Sequence, residues 1–248
     1  MKQSVTIPPE LYERGIGVIR PRDLADRYSQ PAKEARRLAG LGALRPLSHG
    51  YYVVAPPSRI TDEHWRPSVE AVGMAVAVID YGTEETALAG ISAARVLGAI
   101  PRALGACVVA VPRQRPSLNT AFGHIEFVRR RVATLDVQRT RTELADGYVT
   151  TVEQTLVDLA DRPELGGTTP RQISEAILSL IVRADWDAVL DLAREQRKHS
   201  AYIRARWLAS QVMDPVPAEW RYARPVSSAG LTGPVEDADR LGVTLDDL

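Results

Sequence analysis

A single cysteine, Cys107, stands among 248 residues. An intramolecular disulfide and a cysteine-based zinc site are thereby excluded, and the reducing cytoplasm is the expected compartment. Lysine is nearly as scarce, with only Lys2, Lys33 and Lys198 among 31 basic residues. A Mg²⁺-dependent nuclease gathers carboxylates beside a lysine; Glu126 is followed by Phe127 and Val128 instead, so that core is missing. The four histidines (His49, His64, His124 and His199) lack partners at metal-ligand spacing. There is no phosphate-cradling G-x-x-x-x-G-K-[ST] loop, no G-x-G-x-x-G after a strand and no G-x-S-x-G elbow. The expectation is a non-enzymatic protein without metal or cofactor.

Long apolar runs are absent too. The longest lies around Ala75 to Ile79, far short of the roughly 20 residues that span a bilayer. The N-terminus lacks the apolar core of a signal peptide. A soluble protein without a membrane partner is expected. Net charge is zero, which seems to argue against nucleic acid, but the sum hides a split. Residues 1–57 carry nine Lys/Arg against five Asp/Glu, and 58–248 carry 22 against 26. Screening limits an exposed charge to roughly 8–10 Å at ordinary salt, so the local excess matters more than the total.

What is present is an ordinary globular balance, 45% apolar and 25% charged. The length suits two domains. From Pro8 to Pro57 the punctuation is dense. Pro9 and Glu10 suit a short helix that Gly15-Ile16-Gly17 ends. Pro21 to Tyr28 reads as a second helix, with Leu24, Ala25 and Tyr28 on one face. Pro31 breaks it and opens a third, Ala32 to Leu41, with Ala35, Leu38 and Ala39 inward and Gly42 as its C-terminal cap. Leu44–Leu47 and Tyr51–Val54 then flank the turn formers Ser48-His49-Gly50 as a hairpin. Helix, helix, sharp turn, helix and two-stranded wing make a winged helix-turn-helix.

In such a module the third helix enters the major groove of DNA. Lys33, Arg36 and Arg37 fall at i, i+3 and i+4, one stripe opposite the apolar positions. Gln30 stands at the helix entry, and glutamine and arginine both make two-pronged bonds to purine edges. Arg20, Arg22 and Arg27 frame the preceding helix as phosphate contacts, and Arg45, Ser48 and His49 lie on the wing. The competing reading is a solvated helix face, or a winged helix used for protein contacts alone. A second basic group, Arg113, Arg115, Arg129, Arg130, Arg131, Arg139 and Arg141, either extends a nucleic-acid surface or simply faces solvent. Strand alternation forbids Arg129, Arg130 and Arg131 from all pointing one way.

The whole chain is expected to be α+β. Residues 1–57 form the winged helix-turn-helix, 58–82 a connector, 83–212 a mixed α/β domain ending in a helical bundle, and 213–248 an extended tail. In the second domain the expected elements are a helix at Thr83–Leu97, strands at Ala106–Pro112, His124–Val132 and Tyr148–Thr150, and helices at Thr151–Asp161, Pro170–Arg183, Trp186–His199 and Tyr202–Val212. Glu84-Glu85 reads as helix-start chemistry, Asp158 and Asp161 as solvated or capping, and Cys107 as buried and inert.

These two halves together resemble the AbiEi-type antitoxin family. In the N-terminal part the resemblance rests on Val18-Ile19-Arg20-Pro21-Arg22-Asp23-Leu24-Ala25, on the Leu38–Leu44 helix exit and on His49-Gly50-Tyr51-Tyr52-Val53-Val54. Further on it rests on Gly90-Ile91-Ser92-Ala93-Ala94 and on Val149–Asp158. It departs at Gln154, where the family tends to carry arginine. The resemblance implies a repressor that binds inverted repeats in its own promoter and opposes a nucleotidyltransferase toxin encoded next door. Two other readings stay open: a DNA-tethered enzyme (nuclease or toxin-modifying) and a protein-interaction adaptor.

Overall fold

The computed structural model describes residues 8–48 and 50–212. His49 and the 213–248 tail lie outside the described residues. The chain is mixed α+β and divides into two compact units that each draw on several segments. Among the described residues, one holds 8–48, 50–88, 104–134 and 139–148, the other 89–103, 135–138 and 149–212.

The first unit begins with α1 (Glu10–Glu13), β1 (Val18–Ile19) and a single 3-10 turn, Pro21–Leu24. The helix expected at 21–28 is therefore one turn long. The Asp23 carboxylate accepts the Arg20 N–H at 2.7 Å, closing the turn locally, and Leu24 is its one buried residue. Next, α2 (Pro31–Gly40) starts on Pro31 and ends as the glycine predicts. Gly42, at φ +78°, sends its N–H to Ala39, and Ala43 sends its N–H to Leu38. Those two bonds satisfy carbonyls that the helix end would leave open. Two strands follow, β2 (Leu44–Pro46) and β3 (Tyr52–Val54).

These strands pair antiparallel with β1 in the order β1-β3-β2, with Val18 opposite Val53 and Leu44 opposite Val54. The strand β1 is too short to show an alternating pattern. Beneath the sheet, Leu11, Ile19, Leu24, Ala35, Leu38, Ala43, Leu44 and Val54 form one buried cluster. Ala35 and Leu38 are 0% exposed, so α2 is anchored by that face.

The stretch expected as a connector contains α3 (Val69–Tyr81), the longest helix of this unit. Every residue from Val69 to Val78 is buried. A helix apolar all round has no stripe to betray its period, so the sequence shows a run and not a face. Ser68 caps it by accepting the Ala71 N–H at 3.3 Å.

The expected 83–97 helix is broken. Thr83–Glu85 is a 3-10 turn, β4 (Ala87–Leu88) is a strand, and only α4 (Gly90–Val96) is helical. Pairing of Ala87 and Leu88 with Ala110 and Val109 overrides local helix preference, with both residues completely buried. The remaining strands are β5 (Ala106–Val111), β6 (Leu118–Thr120), β7 (Gly123–Arg129), β8 (Val137–Arg141) and β9 (Asp146–Thr150). Their sheet runs β6-β7-β5-β4-β9-β8. The pair β5 and β7 is parallel, with Ala106 opposite His124 and Val111 opposite Arg129, whereas β6 meets β7 antiparallel. Cys107 is buried on β5, as expected.

In the second unit α4 is joined by α5 (Val152–Asp161), α6 (Pro170–Ile181), α7 (Trp186–Glu195) and α8 (His199–Val212). The first three of these later helices open on side-chain caps from Thr151, Thr169 and Asp185, which satisfy the free N–H groups of the first turn. Helix α5 is central and touches the other four. Asp158, expected to be solvated or capping, is 8% exposed and accepts from Gln154 Nε2 at 2.9 Å. It lies on the packed side of α5. Helix α7 stops four residues short of the expected His199. Its last turn closes through Arg197 at φ +57°, with Lys198 N–H bonding Ala193.

Candidate nucleic-acid interface

The residues singled out on α2 are all exposed: Gln30 at the entry, then Lys33, Arg36 and Arg37. At about 100° per residue they fall on the side of the helix away from Ala35 and Leu38. Packing of those two residues therefore presents the polar stripe. Arg36 Nε donates to its own helix at Ala32 O, 3.2 Å. Arg37 makes a two-pronged bond to Glu34, at 2.9 and 2.7 Å. That bond, the first cause of the shift, holds the Glu34 carboxyl below its ordinary range and the Arg37 guanidinium above its own. Lys33 and Arg36 have no carboxylate partner among the described residues, while Arg37 is paired with Glu34 through Nε and Nη2 and keeps further N–H donors for another acceptor. Arg22 is exposed on the preceding turn.

Two of the arginines expected at phosphates are engaged elsewhere. Arg20 forms an ion pair with Asp80 of α3, bonds the Tyr51 hydroxyl, and keeps its side chain 24% exposed. Its guanidinium also lies 4.4 Å from the Tyr51 ring centre. Arg45 is half-buried and donates to the Asp62 carbonyl at 2.7 Å. Ser48 is half-buried, and its carbonyl accepts the Tyr51 N–H at 3.0 Å, which tightens the hairpin turn.

Around Asp80 the structure assembles a group that sequence reading did not anticipate. Arg115 Nη1 donates to Asp80 Oδ2 at 2.5 Å, and the Tyr51 hydroxyl donates to the same oxygen at 2.5 Å. Arg115 also stacks 4.2 Å from the Phe127 ring centre. Two guanidinium groups share one carboxylate, so the cluster as a whole keeps one positive charge. Burial, chiefly, and the bond to Asp80 raise the Tyr51 phenol above its ordinary value.

The second basic group separates into distinct fates. Arg115 is in this cluster. Arg139 pairs with Glu84 at 3.0 Å and Arg141 with Asp146 at 3.6 Å. Glu84, read as helix-start chemistry, also accepts from the Tyr148 hydroxyl at 2.7 Å. Arg113, Arg129 and Arg131 are exposed and have no carboxylate partner among the described residues. No group of three or more potential metal ligands occurs among the described residues, and no helix there is long and apolar enough to cross a membrane.

Class and likeness agree at the level of fold. No protein-family model matches the chain, and no curated protein does. Among solved structures, it is similar to the RV2827C protein from Mycobacterium tuberculosis. That likeness has a TM-score of 0.57 and 21% identity, covering 81% of this chain and 74% of that one. At such identity the two share a mixed α+β fold.

Proposed function

We propose that this protein is a sequence-specific duplex-DNA-binding repressor of the AbiEi antitoxin type. Residues 8–57 act as a winged helix-turn-helix with α2 as the reading helix. One observation carries the proposal: Gln30, Lys33, Arg36 and Arg37 lie exposed on one side of a helix whose opposite side is locked by Ala35 and Leu38. A helix has the width to enter the major groove, where arginine reads guanine and glutamine reads adenine. The partners are then double-stranded DNA with inverted promoter repeats and, functionally, a neighbouring nucleotidyltransferase toxin. The toxin part rests on the sequence resemblance alone.

The test is binding of the full chain to the DNA upstream of its own gene, measured by fluorescence anisotropy against scrambled duplexes. Lys33→Ala weakens binding to all sequences and lowers the salt slope by about one. Arg36→Ala relaxes preference at one base pair, by about 1–3 kcal/mol. Equal affinity for every duplex, unmoved by either substitution, would remove α2 as a reading helix. Co-expression with a nucleotidyltransferase from the adjacent gene tests the antitoxin half. Growth restored by this chain supports it, and unrelieved toxicity refutes it.

A further inference from the structure

We infer that the C-terminal ends of β5 and β7 form a second phosphate-contacting surface, made of Arg113, Arg129 and Arg131, that grips the duplex beside the segment read by α2. The inference rests on that reading of α2 and extends it to residues remote in sequence.

Parallel pairing places Val111 opposite Arg129, and Arg130 N–H bonds the Val111 carbonyl at 2.9 Å. Arg113 leaves β5 just where Arg129 and Arg131 leave β7. Gln114 Nε2 fastens the first segment to the second through the Phe127 carbonyl at 3.1 Å. The three arginines are thus neighbours by topology although up to 18 positions apart. All are exposed and unneutralised by any carboxylate among the described residues, unlike Arg139 and Arg141.

Their position relative to the hairpin follows from contacts on one face of the sheet. Phe127 and Arg129 are two apart on β7 and share a side of the sheet. Arg115 lies over Phe127 on that side, and its Nη2 is 3.4 Å from the Tyr51 hydroxyl. Tyr51 directly follows the hairpin turn. Arg129 therefore stands on the hairpin's side of the sheet, next to a cluster that already keeps one positive charge. Closely spaced positive charge without counter-charge fits the regular negative charge of a duplex backbone, and neutralising phosphates releases condensed cations.

The experiment uses the full chain with Arg113→Gln, Arg129→Gln and Arg131→Gln combined. The control carries Arg139→Gln and Arg141→Gln. Affinity for a long duplex containing the α2 site is measured from 50 to 200 mM salt. Three lost phosphate contacts reduce the slope of log K against log salt by about 2.7, so the unaltered chain loses about 40-fold more affinity across that range than the triple variant. A duplex trimmed to little more than one helical turn around the α2 site abolishes the difference, and the control keeps the unaltered slope. An unaltered slope in the triple variant, or an equal fall in the control, overturns this surface and leaves α2 standing. Failure of the unaltered chain to bind any duplex overturns both.

Discussion

Arg115 and Asp80 stand 35 positions apart and meet at 2.5 Å, with the hydroxyl of Tyr51 bonded to the same carboxylate. Arg20 reaches that carboxylate from a third segment. Three donors, from the start of the turn after β1, the residue before β3 and the loop after β5, thus share one acceptor near the end of α3. The Asp80 side chain is 10% exposed, and those of Arg20 and Arg115 are 24% and 19% exposed.

Removing the shared acceptor isolates the effect. Asp80→Ala leaves two guanidinium groups facing each other with their partner gone. Losing one partner of a fully buried pair costs roughly 3–5 kcal/mol. Here both arginines keep some access to water, so about 2–3 kcal/mol is expected, read as a lower midpoint in urea with unchanged slope. An unchanged midpoint would show that the cluster is electrostatically idle.

Tyr51 gives the same cluster a pH signature. Burial first, and then its bond to Asp80, raises its pKa in the folded state from the ordinary 10.0. The neutral phenol is therefore favoured by folding. Its contribution is complete below the unfolded pKa and is lost as pH rises through the raised folded value. Stability should fall more steeply with pH above about 10 in the unaltered chain than in Tyr51→Phe, measured by urea titration at successive pH values. Parallel curves for the two proteins would contradict it.

Gly73 sits in the middle of α3, where alanine ordinarily gains about 1 kcal/mol of helix propensity. A Cβ there would lie 2.5 Å from Cys107 Sγ and 3.2 Å from a Val109 methyl. Overpacking costs about 1–3 kcal/mol, so Gly73→Ala is expected to destabilise despite its propensity. Adding Cys107→Ala removes the clashing sulfur. The double variant should be more stable than additivity of the two single changes allows, which a double-mutant cycle in urea measures.

Arg197 closes α7 in the left-handed region, at φ +57°. A non-glycine residue there costs about 1–2 kcal/mol relative to right-handed backbone, a penalty glycine does not incur. Arg197→Gly should therefore stabilise the protein by about 0.5–1 kcal/mol, after allowing for glycine's greater freedom in the unfolded chain. A lower unfolding midpoint in that variant would mean the arginine side chain earns its place by contacts.

Much of the architecture was written locally. Pro31 and Gly42 bound α2 because proline suits a first helical turn and glycine adopts positive φ without strain. Ala35 and Leu38 recur at helical spacing, so which side of α2 is buried followed from the pattern. Strands β5, β7 and β9 and helices α5 and α6 were visible for like reasons. Helix α3 was not, because uniform burial erases the periodic contrast that amphipathicity supplies. The end of α7 was hidden by Arg197, which carries none of glycine's signal.

The amino-acid order alone determined that α2 shows a basic stripe outward, since charge and apolar spacing are properties of one helix. Only tertiary structure decided what Arg20, Arg113, Arg115 and Arg129 do. An arginine's partner depends on which carboxylate or ring the fold brings within a few ångströms, and Asp80 lies 60 positions from Arg20. Likewise, Arg113 and Arg129 become neighbours through parallel strand pairing, which is non-local by its nature.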